Sequence, residues 1–291
     1  DNEILWQESF SQLRGVGRKG LAFAAVSAID IALWDVKGKT LKLSLVKLFG
    51  GGRSEVPVYG SGGWTSYSDS RLVDEALAMV DRGYTMIKLK VGVEGGANPA
   101  RDVARIRRVR AEIGSGIGLM LDANNCWDAA TAARFANQVA DQDPMFLEEP
   151  VLADDLPGLA RFRRATDIPL ATGEHEYTRY GVRDLLLNDA ADIVQADGTR
   201  GGGYTEMLKI GALTQAWNVK FAPHAMEHVH LPLVAAMPNS PFLERLLMFE
   251  EITAKVFPEA GNPANGVMSV PDKPGHGLEP DLDFVLSSAD R

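Results

Sequence analysis

The sequence of 291 residues contains very little cysteine and no long apolar run. Its single cysteine, Cys126, cannot form an internal disulfide bond, so nothing in the sequence indicates an oxidising compartment. No stretch approaches the roughly 20 apolar residues of a membrane helix. The N-terminus also lacks the basic start and apolar centre of a signal peptide. These absences predict a soluble protein with no membrane partner, and a cytoplasmic location is the default expectation.

An excess of positive charge is missing as well. The formal net charge is -9, whereas a nucleic-acid partner requires a basic face that neutralises phosphates. The composition therefore argues against nucleic-acid binding. A small anionic substrate remains open, because a local cation can dominate the electrostatics of one pocket.

A glycine-rich dinucleotide-binding motif directly after a predicted strand is also absent, which argues against a doubly wound sheet with such a cofactor. Gly201-Gly202-Gly203 follows a predicted strand, and it is interpreted as a tight turn into the next helix. Neither nicotinamide nor pyridoxal phosphate has support in the sequence.

From about Glu55 onward, short apolar runs alternate with amphipathic stretches of helical period. The predicted strands are Val56–Ser61, Met86–Val91, Gly118–Asp122, Met145–Glu148, Pro169–Gly173, Ile193–Ala196, Val219–Ala222 and Phe242–Leu246. Predicted helices include Asp69–Asp81, Ala100–Ile113, Ala129–Ala140 and Tyr204–Trp217. Eight such units predict an α/β fold, a (β/α)8 TIM-type barrel over residues 55–250.

The two flanks of the barrel have different compositions. Residues 1–54 contain a strongly apolar helix, predicted at Gly20–Val36, and are interpreted as a mainly helical remnant of a capping domain whose natural chain begins earlier. That helix is alternatively a subunit contact. Residues 251–291 include the proline- and glycine-rich stretch Gly261–Gly277, which is predicted to wrap over the cap and barrel surface.

Carboxylates follow three neighbouring strands of the predicted barrel. Asp122, Glu148 and Glu174 are evenly spaced along the chain and lie at or just after the ends of the third, fourth and fifth strands. Barrel enzymes carry their reactive groups at these ends, so the three side chains are expected to converge. Three anions at one point repel, and an all-oxygen set favours Mg²⁺ among divalent cations. Any one of these acids alone would equally suit a solvated loop.

The second predicted strand carries two lysines, Lys88 and Lys90, on one face, because strand side chains alternate. An ammonium group that points into the barrel is energetically unfavourable unless it has a catalytic role or pairs with acids. Desolvation and mutual repulsion would lower the pKa of at least one lysine, although nearby carboxylates oppose that shift. The alternative is an edge strand with both lysines in water.

Two further groups end the sixth and seventh strands, Asp197 and His224. A carboxylate beside an imidazole fixes its tautomer and raises its basicity, so the pair predicts an acid/base group. His224 alone would more often be structural. His228 and His230 lack the further ligands of a zinc site and are assigned helix-start or packing roles.

Together these residues resemble the mandelate racemase group of the enolase superfamily. The shared pattern is Lys-x-Lys on the second strand, Asp-x-Asn on the third, Glu-Glu-Pro on the fourth, Gly-Glu on the fifth, Asp on the sixth and His on the seventh. The likeness extends over residues 17–277. It implies that Asp122, Glu148 and Glu174 ligate Mg²⁺. The Asp197-Gly198-Thr199 sequence differs from muconate-cycloisomerase-like members, which carry a lysine there.

The resemblance also implies roles for the remaining groups. Lys90 would be the base on one face of a small carboxylate substrate, and His224 with Asp197 the acid/base on the other. Lys88 would lie near the substrate carboxylate and Asn124 near a substrate hydroxyl. On the eighth strand, Glu244 would donate a hydrogen bond to the substrate carboxylate if it is protonated. The resemblance further implies a homo-oligomer, and it leaves substrate identity open because capping-domain loops select the substrate.

Three functions are compatible with these residues. The leading hypothesis is a lyase, which dehydrates a sugar acid to a 2-keto-3-deoxy acid: an α-proton is removed, the metal stabilises the charge that develops, and imidazolium protonates the departing hydroxyl. The second is a racemase or epimerase of a 2-hydroxy acid, which uses the same constellation. The third is a non-catalytic barrel, which predicts broken chemistry at one of these positions.

Overall fold

The computed structural model describes residues 1–289, and its centre is a barrel of parallel strands. The strands neighbour one another in the order β7-β6-β5-β4-β3-β2-β1-β8, and every ladder between them is parallel. Their bounds are β1 Glu55–Gly62, β2 Met86–Lys90, β3 Gly118–Asp122, β4 Pro144–Glu148, β5 Leu170–Thr172, β6 Ile193–Val194, β7 Lys220–Phe221 and β8 Leu243–Leu246. The predicted (β/α)8 architecture is confirmed.

The seam between β7 and β8 is the irregular part of the barrel. No strand ladder joins the two in the described residues. The chain just before β8 joins them instead, because Phe221 N donates to Asn239 O at 3.1 Å and Ser240 Oγ donates to Phe221 O. β6 and β7 are also shorter than predicted, with two residues each.

A helix follows each of the eight strands, and side-chain caps fix where several of them begin. Asp128, for example, accepts hydrogen bonds from Ala130 N and Thr131 N at 2.9 and 2.8 Å, which satisfies free N–H groups of the first turn. All of these helices but the last bury apolar side chains against the outside of the sheet. Their bounds are α4 Asp69–Asp81, α5 Pro99–Ile113, α6 Ala129–Val139, α7 Leu156–Ala165, α8 Thr178–Leu187, α9 Gly203–Ala216, α10 Glu227–Ala236 and α11 Glu250–Val256.

Three helices precede the barrel: α1 Asn2–Gln12, α2 Leu21–Leu41 and α3 Leu45–Leu48. The long helix extends five residues beyond its predicted end and stops where Lys42 adopts a left-handed conformation, with φ 55°. It exposes the apolar side chains of Leu21, Ile29 and Val36. The homo-oligomeric state stays a prediction.

The α2 helix docks on the turn between β6 and α9. Asp30 accepts from Thr205 N at 2.9 Å and from Thr205 Oγ1 at 2.6 Å, and Ser27 Oγ accepts from Gly202 N at 2.8 Å. Gly203 has φ 73°, and a Cβ at this position would lie 2.4 Å from the Asp30 carboxylate. The triple glycine is therefore a tight turn into a helix, as predicted, and it also permits close approach of α2.

The C-terminal segment contacts both flanks of the barrel. Its strand β9, Val267–Ser269, pairs antiparallel with the start of β1. Further along, Gly275 exchanges hydrogen bonds of 2.9 Å with Leu43 and Leu45, and His276 N donates to Asp35 Oδ1 at 2.7 Å. A last helix, α12, spans Leu282–Ala289. No helix within residues 1–289 is long and apolar enough to span a bilayer.

Candidate active site

The barrel interior is built from two layers of side chains, because residues two apart on a strand face the same side. The lower layer is apolar and packs as one buried cluster, with Met86 at its edge: Tyr59, Met120, Phe146, Ala171, Ile193, Ala222 and Phe242. Two residues further along each strand lies a second layer: Ser61, Lys88, Asp122, Glu148, Gly173, Gln195, His224 and Glu244. A buried apolar layer therefore lies beneath a polar layer at the carboxyl ends of the strands.

Both lysines of β2 are buried and paired with acids. Lys88 Nζ lies 2.5 Å from Glu148 Oε2 and 2.7 Å from Glu244 Oε1, and Lys90 Nζ donates to Asp122 Oδ2. Burial alone would lower each pKa. The negative charges of Glu148 and Glu244 outweigh burial for Lys88, and that of Asp122 does so for Lys90, so both lysine pKa values are raised. The alternative of an edge strand with both lysines in water is therefore excluded. The prediction that the pKa of at least one lysine is lowered is wrong.

The three predicted ligand carboxylates lie on adjacent strands but face different partners. Lys90 contacts Asp122 and Lys88 contacts Glu148, whereas Glu174 Oε2 lies 3.2 Å from His224 Nε2. Each of the three thus has a different lysine or histidine partner, and their convergence on a metal ion stays a prediction. In the described part of the chain, the group of three whose ligand atoms lie within 4.8 Å of one another is instead Glu149, Glu174 and His175.

The predicted trio nevertheless fits a hard divalent cation. All of its donors are carboxylate oxygens, the ligands that Mg²⁺ prefers. Glu148 is fully buried, and its Oε1 has no hydrogen-bond partner among the described residues. A buried carboxylate oxygen without a donor is costly for stability alone. Its presence is consistent with a ligand that arrives from outside the protein.

His224 and Asp197 form the predicted dyad. His224 Nδ1 lies 3.0 Å from Asp197 Oδ2, while Asp197 Oδ1 accepts from Thr199 N and Oγ1, both at 2.7 Å. Burial opposes both charges. The hydrogen bond between the two groups outweighs it, lowering the pKa of Asp197 to about 2 and, with the charges of Glu244 and Glu174, raising that of His224 to about 9. The pair is thus an ion pair at neutral pH.

Glu244 and Asn124, the other predicted substrate contacts, sit at different depths. Burial would raise the pKa of Glu244, but the adjacent Lys88 ammonium outweighs burial and lowers it. The Glu244 carboxylate therefore accepts hydrogen bonds from Lys88 Nζ and, at 2.9 Å, from Ala225 N. The protonated Glu244 that would donate a hydrogen bond to the substrate is not found here. Asn124 is exposed at the mouth, and its backbone N donates to Asp122 Oδ1 at 2.9 Å.

His230 has the structural role that the sequence predicts. Its Nε2 accepts from Gly198 N at 2.9 Å and its Nδ1 lies 2.8 Å from Ala225 O, so both ring nitrogens are satisfied. The ring is fully buried beneath the loop after β6. Neither nitrogen is available to a metal ion.

Sequence reasoning missed two polar groups of the site. Arg200 reaches back from the β6 loop, with Nη1 3.4 Å from Glu174 Oε1 and Nε 3.4 Å from Asp197 Oδ2. Gln195 donates from Nε2 to Glu148 Oε2 at 2.9 Å. The alternation of Ile193, Gln195 and Asp197 on one face was the signal for Gln195, whereas nothing in the sequence pattern distinguishes Arg200 from a surface arginine.

An eight-stranded parallel barrel with three carboxylates between a lysine and a His–Asp pair defines an enolase-like barrel. A profile of the enolase C-terminal domain-like family matches residues 71–284. A second profile, for the mandelate racemase/muconate lactonizing enzyme N-terminal domain, matches residues 5–50. The chain belongs to the mandelate racemase and muconate lactonizing enzyme family of the enolase superfamily, as the resemblance predicted.

Known proteins similar to this chain have related activities. It is 39% identical over 277 residues to L-talarate/galactarate dehydratase of Salmonella typhimurium, covering 95% of this chain and 67% of that protein. A Polaromonas L-talarate dehydratase, crystallised with Mg and L-glucarate, superposes with TM-score 0.91 at 36% identity, covering 98% of this chain and 78% of that one. A Streptomyces coelicolor racemase with bound magnesium gives TM-score 0.93 at 33% identity, covering 99% and 78%. The relatives are thus enzymes of both predicted classes.

Proposed function

We propose that this protein is a Mg²⁺-dependent lyase that dehydrates a sugar acid to a 2-keto-3-deoxy acid. The main support for the proposal is the order of the ionisable side chains across the barrel mouth. Lys90 contacts Asp122 at one end of the carboxylate trio, and the His224–Asp197 pair contacts Glu174 at the other. Two proton-transfer groups thus flank the place where a cation and a carboxylate substrate would lie.

In this proposal, Asp122, Glu148 and Glu174 hold Mg²⁺. When bound, the ion supplies positive charge next to the substrate carboxylate, where negative charge develops as the α-proton leaves. Lys88 binds the same carboxylate, and Asn124, which is exposed at the mouth, binds a substrate hydroxyl. These groups orient the α-carbon between the two proton-transfer groups.

The proton steps belong to Lys90 and His224. One of the two accepts the α-proton in its neutral form, so that the C–H electron pair forms a C=C bond and the β-carbon–oxygen bond breaks. A cation at Asp122 and Glu174, the carboxylates that pair with Lys90 and His224 here, would favour those neutral forms. His224, charged through its contact with Asp197, protonates the departing hydroxyl, which leaves as water. The resulting enol tautomerises to the 2-keto-3-deoxy acid. The dehydratases among the relatives support this outcome.

Racemisation or epimerisation of a 2-hydroxy acid is the second candidate. It is favoured by the same observation, because two separate acid/base groups can remove a proton on one face and return it on the other. The similarity to a magnesium-containing racemase supports it as well. The two reactions differ in whether the substrate loses a β-hydroxyl.

The test is a panel of sugar acids incubated with the protein and Mg²⁺ in D₂O and followed by proton NMR. A new 3-deoxy methylene signal is expected. Exchange or inversion at the α-carbon without that signal would replace the dehydratase by a racemase or epimerase. Absence of any change across the panel would count against both.

A lysine variant connects the reaction to the site. Lys90→Met keeps the length of the side chain and removes its ammonium group, so we expect loss of α-proton exchange on the face that Lys90 serves. Lys273→Met is the matched control, because the Lys273 side chain is 60% exposed and pairs with Glu259 away from the barrel. Equal activity of both variants would contradict the role of Lys90.

A further inference from the structure

Gln195 occupies an unusual place in the polar layer of the barrel. It is 1% exposed, and its side chain reaches from the end of β6 to Glu148 at the end of β4. The intervening strand, β5, is followed at this level by Gly173, which has φ 129° and no side chain to stand between them. The contact between Gln195 and Glu148 therefore depends on the absence of a side chain at Gly173.

The contact leaves the Glu148 carboxylate with two unequal oxygens. Oε2 accepts from both Lys88 Nζ at 2.5 Å and Gln195 Nε2 at 2.9 Å. Oε1 is buried and has no partner among the described residues. Because an ionised carboxylate oxygen can only accept, the amide of Gln195 faces it with its NH₂ group.

The two donors are not equivalent. Lys88 Nζ also contacts Glu244 at 2.7 Å and lies 3.8 Å from Asp122, and in the proposed function it binds the substrate carboxylate. The Gln195 amide is neutral, and its NH₂ contacts only Glu148 among the described side chains. It therefore holds Glu148 in place whichever partner Lys88 has.

Stability alone does not explain this glutamine. Its Oε1 is buried and has no hydrogen-bond donor among residues 1–289. An unsatisfied buried carbonyl is unfavourable, so an apolar residue of similar size would suit the folded state at least as well. Gln195 is thus unfavourable for the stability of the folded chain, and its contact with Glu148 must have a functional benefit.

We propose that Gln195 is a positioning residue, which fixes the Glu148 carboxylate by Oε2 so that Oε1 is presented to the divalent cation. This inference rests on the proposed function, since it requires a cation at Glu148. Metal ligands are commonly held by such outer hydrogen bonds, and their loss weakens metal affinity by about 10- to 100-fold.

The experiment measures Mn²⁺ affinity by EPR, with Mg²⁺ as competitor, in wild type, Gln195→Met and Gln195→Asn. Methionine keeps the length without the amide, and asparagine keeps the amide but is one methylene too short to reach. Both are expected to bind Mn²⁺ about 10- to 100-fold more weakly. Gln215→Met, at an exposed position on α9, is the matched control and should bind as wild type.

Thermal unfolding of the cation-free proteins separates positioning from folding. The midpoint of Gln195→Met is expected within about 3 °C of wild type, since it loses one hydrogen bond and one unsatisfied carbonyl together. If the methionine variant does not fold, Gln195→Asn decides by the same criterion. Wild-type affinity in a folded variant would overturn the role of Gln195 and leave the proposed function standing. Absence of Mn²⁺ binding by wild type would overturn the proposed function itself.

Discussion

Replacing Asp197 by Asn should lower the pKa of His224, which Asp197 raises through a charged hydrogen bond. The geometry fixes how the new amide lies. Thr199 donates to Asp197 Oδ1 from both its N and its Oγ1 at 2.7 Å, so the amide oxygen of Asn takes that place. The amide NH₂ then faces His224 Nδ1 across the present distance of 3.0 Å. An N–H donor there requires an unprotonated Nδ1.

The size of the effect follows from the lost charge. A neighbouring opposite charge shifts a pKa by about 1–3 units, and each unit corresponds to about 1.4 kcal/mol. The pKa of His224, about 9 with Asp197 present, is therefore expected to fall by about 1–3 units. Histidine side-chain NMR titration of the cation-free protein measures it. The comparable replacement in a Ser-His-Asp triad lowers kcat by about 10⁴-fold, and a similar loss is expected if His224 is the general acid.

The pH dependence of the free energy of unfolding gives an independent check, because the direction of its change can be predicted. Because the folded pKa of His224 is raised above the ordinary 6.5, its contribution is complete below pH 6.5 and is lost as pH rises through about 9. The contribution of Asp197, whose pKa is lowered from 3.8 to about 2, is complete above pH 3.8 and is lost as pH falls through about 2. The Asn variant should thus lose most stability between pH 4 and 6.5. Asp141→Asn, on the surface, is the control. An unchanged titration of His224 in the Asp197 variant would refute the reasoning.

Two further predictions concern stability. Gly203→Ala places a Cβ 2.4 Å from the Asp30 carboxylate at φ 73°, whereas Gly17→Ala meets nothing within 4 Å at φ 98°; urea titration should show a loss of about 1–2 kcal/mol for Gly17→Ala and more for Gly203→Ala. Burial lowers the pKa of both His276 and His228 to about 4, so stability should fall as pH drops from 6.5 to 4, and less steeply in His276→Phe. An equal slope in that variant would exclude His276 as a cause.

Much of the fold could be predicted because its signals are local. Strand β3 and helix α4 have the predicted bounds, since their apolar periods end at clear capping or turn residues. The inward direction of Lys88 also follows from alternation along a single strand. The β7–β8 seam and the docking of α2 on Gly203 could not be predicted, because each depends on groups that only the folded chain brings together.

The candidate site shows the same division. Strand period and strand order predict the inward-facing side chains of the strands from Ser61 to Glu244, whereas Arg200, on the loop after β6, has no such signal. The pairing of these side chains follows only from the folded chain: Lys88 pairs with Glu148 and Glu244, and Gln195 with a single oxygen of Glu148. Partner choice depends on distances of a few ångströms between strands that are far apart in sequence. Coulomb and hydrogen-bond energies change steeply over those distances, and no sequence period records them.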